Sequence, residues 1–363
     1  MSRLFSGTGV SVDEMALPGI VDLQVNGFEG YDVNAEGVTG DDVIALAHSE
    51  WSHGVARFCP TVITGSKERM LESLRAIASA RRADPLVAYS AAFVHVEGPH
   101  ISSVEGPRGA HDDAYIRPPA VSEFEEWQRA ADGVIKIVTV APELPGALEY
   151  IRALSRSGIV VAIGHTAASG EQIRAAVAHG ARCSTHLGNG SHALLPRHPN
   201  YIWSQLAMPQ LVASFVADGH HLDDDSLRAM VAAKGVRRSI LVSDTVSVGG
   251  LTPGSYVRGD QRLEVGPDRR VSLAGTPYLA GGGTPLGECV IDLRVRKVFG
   301  WPALVTMSSR NPRRLLGLSD PDGADGPPVD LTIVTNAGDC PTLSRTVVNG
   351  SSFQVVQRPR VAE

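Results

Sequence analysis

Short runs of β-branched and apolar residues alternate along the chain with longer segments whose apolar positions recur every three or four residues. The first pattern is that of a strand buried on both faces, and the second that of a helix with one buried stripe. Eight runs read as strands: 20–27, 54–63, 88–97, 134–141, 158–165, 180–187, 211–218 and 237–244. Between them, KERMLESLRAIASARR sets Met70, Leu74 and Ile77 on one helical face, and SGEQIRAAVAHG opens on Ser169, a good N-cap residue. Repeated strand–helix units predict an α/β fold, a TIM-type (β/α)8 barrel.

The pattern changes at 251–275 and 325–356, where short alternating runs are broken by Gly, Pro, Asn and Asp. These predict antiparallel strands. The expected division is a barrel over 18–320 with a β insertion near 251–275, and a small β-sandwich domain formed by both chain ends, 1–17 plus 325–358. The link 98–133 begins with a long Gly- and Pro-rich loop, EGPHISSVEGPRGAHDDAYIRPP, and is expected to lie over the active face. The triplet Gly281–Gly283 lacks the Lys and Ser/Thr of a phosphate-binding P-loop and reads as a flexible turn.

Composition narrows the partners. With a net charge of -6 in 363 residues the chain has no basic footprint for nucleic acid or an anionic membrane, so a small molecule is the expected partner. No apolar run reaches the roughly 18 to 20 residues that span a bilayer. Cys59, Cys183, Cys289 and Cys340 form no C-x-x-C pair, and the first residues given show no charged n-region followed by a long apolar h-region. Reduced thiols and a cytoplasmic location are expected.

Chemistry concentrates where the strands end. In PGIVDLQVNG, Gln24 and Asn26 leave one face of the first strand together, and Glu97, His165, His186 and Asp244 stand at the carboxyl ends of later ones. A barrel enzyme assembles its site at this end, one residue from each of several strands. One carboxylate and two imidazoles match a His₂Glu catalytic zinc site with an open position. Asp244 would be a fourth ligand or, as favoured here, a general base. His111 and His221, on loops past strand ends, are placed to orient a substrate. His95, two residues before Glu97, reads as a partner of the ligands or as a packed ring, and His48, His53, His179 and His198 read as structural.

Taken in order, PGIVDLQVNG, HVEGPH, RGAH, AIGHT, STHLGN, ADGHH, LVSDT, LAGGGTP and RTVVNG resemble the N-acetylglucosamine-6-phosphate deacetylases of the amidohydrolase superfamily, over nearly the whole chain. The resemblance implies a homodimeric hydrolase that removes the acetyl group of N-acetylglucosamine 6-phosphate, giving glucosamine 6-phosphate and acetate. It makes Gln24 and Asn26 a vacant first metal position, and leaves Glu97, His165 and His186 to hold one divalent ion per chain, expected to be zinc. Asp244 would take a proton from water on that ion and return it to the departing amine, and His111 would polarise the acetyl carbonyl. His221 would touch the sugar. Asn189, the backbone at Gly190, and Arg197 reaching from a partner subunit would grip the phosphate.

Two features depart from the family pattern. The segment before PGIVDL is 17 residues, which implies a reduced β domain, and STHLGNG carries Gly188 and Gly190 where a bulkier residue and Ala are usual, which is expected to loosen the phosphate loop. The rival readings are a deacylase of another N-acyl amino-sugar phosphate or small amide, and a non-catalytic barrel-fold binding protein.

Overall fold

The computed structural model describes residues 14–259, 261–319, 330–335 and 340–356. Parts of the expected small domain, residues 1–13 and 325–329 among them, fall outside these.

Eight parallel strands form one sheet in the spatial order Ile20–Val25, Val55–Ile63, Val94–Glu97, Ile135–Val140, Val160–Ile163, Cys183–Ser184, Val212–Val216 and Ser239–Val242. Two bonds draw the last strand back to the first: Asp244 N donates to Gln24 O at 3.0 Å, and Asn26 N to Thr245 O at 2.9 Å. That closure makes the sheet a barrel and sets Gln24 and Asn26 beside Asp244. Val21, Leu23, Cys59, Ile137, Ala162, Cys183, Val216, Ile240 and Val242 form one buried cluster, and a second, larger cluster joins strands to the surrounding helices. Such a filled interior leaves chemistry to the strand ends.

Most helices stand where periodicity puts them. Lys67–Ala83 buries Met70, Leu74 and Ile77, and Gly170–His179 opens with Ser169 and Gln172 in a reciprocal capping box. The run 88–97 is different: Pro85–Ser90 is a helix because the Asp84 side chain accepts from the Leu86 and Val87 amides and Pro85 suits the first turn, so only Val94–Glu97 is strand. The run 180–187 shrinks to Cys183–Ser184 because the chain turns sharply at His186, whose φ is 29°.

The insertion is a three-stranded antiparallel sheet, Gly254–Arg258, Gln261–Val265 and Val271–Leu273. Both chain ends meet in a separate four-stranded antiparallel sheet, in the order Glu14–Pro18, Leu331–Thr335, Thr342–Val348 and Ser351–Gln354. Its Leu17, Val334 and Leu343 pack on Ile291 of helix Leu286–Val295.

One carboxylate pins this sheet to the barrel. Asp330, 2 % exposed, takes Arg57 Nε at 2.7 Å, Arg313 Nη2 at 2.9 Å and the Asn349 amide at 3.0 Å, while its own carbonyl accepts from Gly19 N. Asp330→Ala would leave two largely buried guanidinium groups unpaired, a loss typically costing about 3–5 kcal/mol. Denaturant unfolding should show a loss of that order, and one below about 1 kcal/mol would contradict the role given to Asp330.

Candidate active site

Gln24, Asn26, Glu97, His165, His186 and Asp244 meet at the carboxyl end of the barrel, each less than a tenth exposed except Asp244, which is partly so. Three of them bend the backbone to get there: His165, His186 and Asp244 have φ of 48°, 29° and 53°. Non-glycine residues in this left-handed region cost on the order of 1–3 kcal/mol each and concentrate where function needs a particular side-chain direction. The strain is held by neighbours. His165 O accepts from Ser102 N, His186 N donates to Ser214 Oγ at 2.8 Å, and Asp244 O accepts from Gly282 N at 2.7 Å.

Ligand atoms of Glu97, His165 and His186 all lie within 4.8 Å of one another. Glu97 Oε1 is 2.9 Å from His186 Nε2 and 3.4 Å from His165 Nε2, and the two imidazole nitrogens are 3.0 Å apart. Donors around a tetrahedral zinc with bonds of about 2.0–2.1 Å would stand roughly 3.4 Å apart, so the cluster has the right scale and donor chemistry for one such ion. The protonation pattern agrees at His165. Its Nδ1 faces the Pro107 carbonyl at 2.8 Å, which can only accept, so the proton sits there and the Nε2 lone pair faces the cluster. Burial raises the Glu97 pKa, yet the His165 and His186 contacts outweigh it and hold that carboxyl well below its ordinary value. Burial works against a charged His186, but Glu97 lifts its pKa to about 9.

Gln24 and Asn26 present amide hydrogens, not lone pairs, to the carboxylates. Gln24 Nε2 donates to Glu97 Oε1 at 2.9 Å and to Asp244 Oδ1 at 3.0 Å, and Asn26 Nδ2 donates to Asp244 Oδ1 at 2.8 Å. These bonds turn the donor face of each amide toward the anions, where a second cation would need oxygen. Burial, and next the Glu97 charge, push the Asp244 carboxyl above its usual range.

The expected loop lies over the site. Gly106, Gly109, Ala110 and His111 line a cleft of about 270 Å³ together with Asn189, Gly190, Ser191, His221, Arg258 and Tyr278. His111 Nε2 is 3.2 Å from His165 Nε2, and burial, then the His165 charge, hold His111 down to about 3, so the ring is neutral. His221 Nδ1 is fixed by Asp218 Oδ2 at 2.8 Å, leaving Nε2 as the free ring atom. Asp218 opposes its own burial through the His221 charge and is held down at about 2. Gly190, φ 55°, lies directly on the His165 ring: a Cβ there would come within 2.7 Å of Nδ1. The loop is held by Asn189 N on His186 O and by Ser191 Oγ on Gly188 O, so the glycines permit close approach where sequence suggested loosening.

Arg197 stands apart. It lies on the largely exposed segment 193–199 and does not line the cleft. His95 turns away from the ligands, bonding Leu23 O and Thr139 Oγ1 inside the barrel.

Sequence reasoning missed Asp218, Arg258 and the Gly281–Gly283 segment. Asp218 stands in the quoted ADGHH but reads as a turn acid until the fold puts it behind His221. The glycine triplet is no flexible turn. Gly282 pairs with Thr245, and a Cβ on Gly282 would meet the Ser243 carbonyl oxygen at 2.2 Å and one on Gly283 the Arg269 carbonyl oxygen at 2.0 Å, so the segment packs tightly between the Asp244 turn and the insertion.

No family model matches the chain. Curated relatives do. The chain is 30% identical over 334 residues to the N-acetylglucosamine-6-phosphate deacetylase of Bacillus subtilis, covering 91% of this chain and 83% of that one. It is 34% identical over 320 residues to that of Bos taurus, covering 84% and 75%. Among solved structures, the Mycobacterium smegmatis N-acetyl-D-glucosamine-6-phosphate deacetylase, a mutant in complex with N-acetyl-D-glucosamine-6-phosphate, superposes with a TM-score of 0.84 at 26% identity, covering 93% of this chain and 87% of that one. With likeness of this extent in sequence and in fold, the chain belongs to the N-acetylglucosamine-6-phosphate deacetylase family of the amidohydrolase superfamily.

Proposed function

We propose that this protein hydrolyses the acetamide of N-acetylglucosamine 6-phosphate to glucosamine 6-phosphate and acetate, with one divalent ion, expected to be zinc, on Glu97, His165 and His186. The observation that carries the reading is the convergence of that donor set with Asp244 and His111 on one cleft. An ion there supplies Lewis acidity that makes water more acidic and the amide carbonyl more electrophilic.

The chain's own groups supply the rest. Asp244 is the base: Gln24 and Asn26 hold its Oδ1, which leaves Oδ2 to take the proton of the attacking water and pass it to the amine nitrogen as the C–N bond breaks. That transfer matters because an amine leaves badly unless it is protonated. His111, kept neutral by burial and lining the cleft with its Nε2 3.2 Å from His165 Nε2, is the group placed to polarise the acetyl carbonyl and support the oxyanion. His221, with its tautomer set by Asp218, offers Nε2 to a sugar hydroxyl. Asn189 Nδ2 is buried without a partner and, with the Gly190 amide, suits a phosphate oxygen.

Arg197 completes the phosphate grip in a partner copy. Leu194, in the same segment, and Trp203, on the following helix Tyr201–Ala207, are 91% and 54% exposed, apolar side chains in water near Arg197 in sequence that support a homodimer contact there.

Asp244→Asn should keep the bound ion and the fold while turnover falls by about 10² to 10⁴, because an amide of the same shape cannot move the proton. Acetate release near the normal rate would show that another group is the base. Arg197→Ala should raise KM for the 6-phosphorylated substrate far more than for the unphosphorylated sugar. Mixed with His186→Ala under conditions where subunit exchange is demonstrated, it should regain activity through hybrid dimers. Exchange without recovery would place Arg197 in its own chain's site.

A further inference from the structure

We infer that Arg258, on the insertion hairpin, is a second phosphate-binding arginine, supplied by the same chain. The inference rests on the phosphorylated-substrate reading above and adds a residue to it.

Arg258 ends the strand Gly254–Arg258, half-buried, and lines the cleft that Glu97, His111, Asn189 and Gly190 also line. A guanidinium carries five N–H donors. Arg258 places one bond, from Nη2 to the neutral Gln261 Oε1 at 3.2 Å, and no carboxylate among the described residues stands within 4.0 Å of it. The two carboxylates of the cleft are already engaged: Glu97 by His165, His186 and Gln24, and Asp244 by Gln24 and Asn26.

A cation that lines a cleft with most of its donors unused by the chain has them available for an anionic ligand. On an N-acetylated amino-sugar phosphate the only charged group is the phosphate. The Asn189 amide, buried without a partner, lines the same cleft, so two unsatisfied donor groups face one space. The hairpin is also held in place. Gln261 Nε2 donates to the carbonyl of Ala110 at 2.8 Å, next to His111, so the residue that orients Arg258 ties the insertion to the catalytic loop. This gives the three-stranded insertion a purpose: it carries a guanidinium fork to the mouth of the barrel, where two phosphate oxygens can be met at once.

The test compares acetate release by the metal-loaded wild type and Arg258→Ala on 6-phosphorylated and unphosphorylated N-acetylglucosamine, with calorimetric titration of inorganic phosphate into both proteins. A charge-assisted contact predicts a rise in KM of about tenfold to a hundredfold for the phosphorylated sugar, little change in kcat, and no change in KM for the unphosphorylated one. Phosphate affinity should fall by a similar factor, and Arg258→Lys should recover part of it. An unchanged KM for the phosphorylated sugar overturns the assignment, and so does an equal fall in kcat on both sugars, which would put the guanidinium at the carbonyl. If the wild type releases acetate from neither sugar, the deacetylase reading fails, and the phosphate titration alone then decides Arg258: equal affinities overturn it, weaker binding by Arg258→Ala upholds it.

Discussion

The candidate site is organised around one buried carboxylate. Glu97 is 3% exposed, and a negative charge withdrawn from water to that degree must be met by donors or cations on all sides. Three strands and their turns answer that demand: Gln24 with its amide, His165 and His186 with ring nitrogens. The strained backbone at both histidines follows from it, since only by leaving the strand direction do the two rings reach the same oxygen. The closure of the barrel at Gln24 and Asp244 brings the proposed base within reach of the same cluster.

The same requirement explains why Gln24 and Asn26 suit a single ion. A second cation next to Glu97 would need lone pairs from the first strand. These amides instead spend their hydrogens on Glu97 and on Asp244, and neutral donors fix the proposed base without competing for its proton. In this arrangement the amides of the first strand orient two carboxylates.

Much of this is legible in the sequence because strand ends are. A polar residue at the end of an apolar run has few reasons to be there, and Gln24, Glu97, His165, His186 and Asp244 all stand out in that way. Three kinds of feature do not. Asp218 looks like any turn acid, since its meaning comes from the ring it faces. Arg258 and Gln261 join the site through a contact to Ala110, 151 positions away from Gln261, which no local pattern encodes. The glycines at 281–283 resemble a flexible turn, and only packing against carbonyls of Ser243, Asp244 and Arg269 shows that they are there for close approach. The helix at Pro85–Ser90 likewise overrode an apolar run through one capping aspartate.

Elemental analysis of the purified, fully active protein tests the central claim most directly, with His165→Ala and His186→Ala measured beside it. A single His₂Glu site predicts one tightly held divalent ion per chain in the wild type and loss of that ion, with activity, in both variants. Two ions per active chain, or full metal content in the variants, would contradict the account of Glu97, His165 and His186 as the sole metal centre and of Gln24 and Asn26 as its neutral flank.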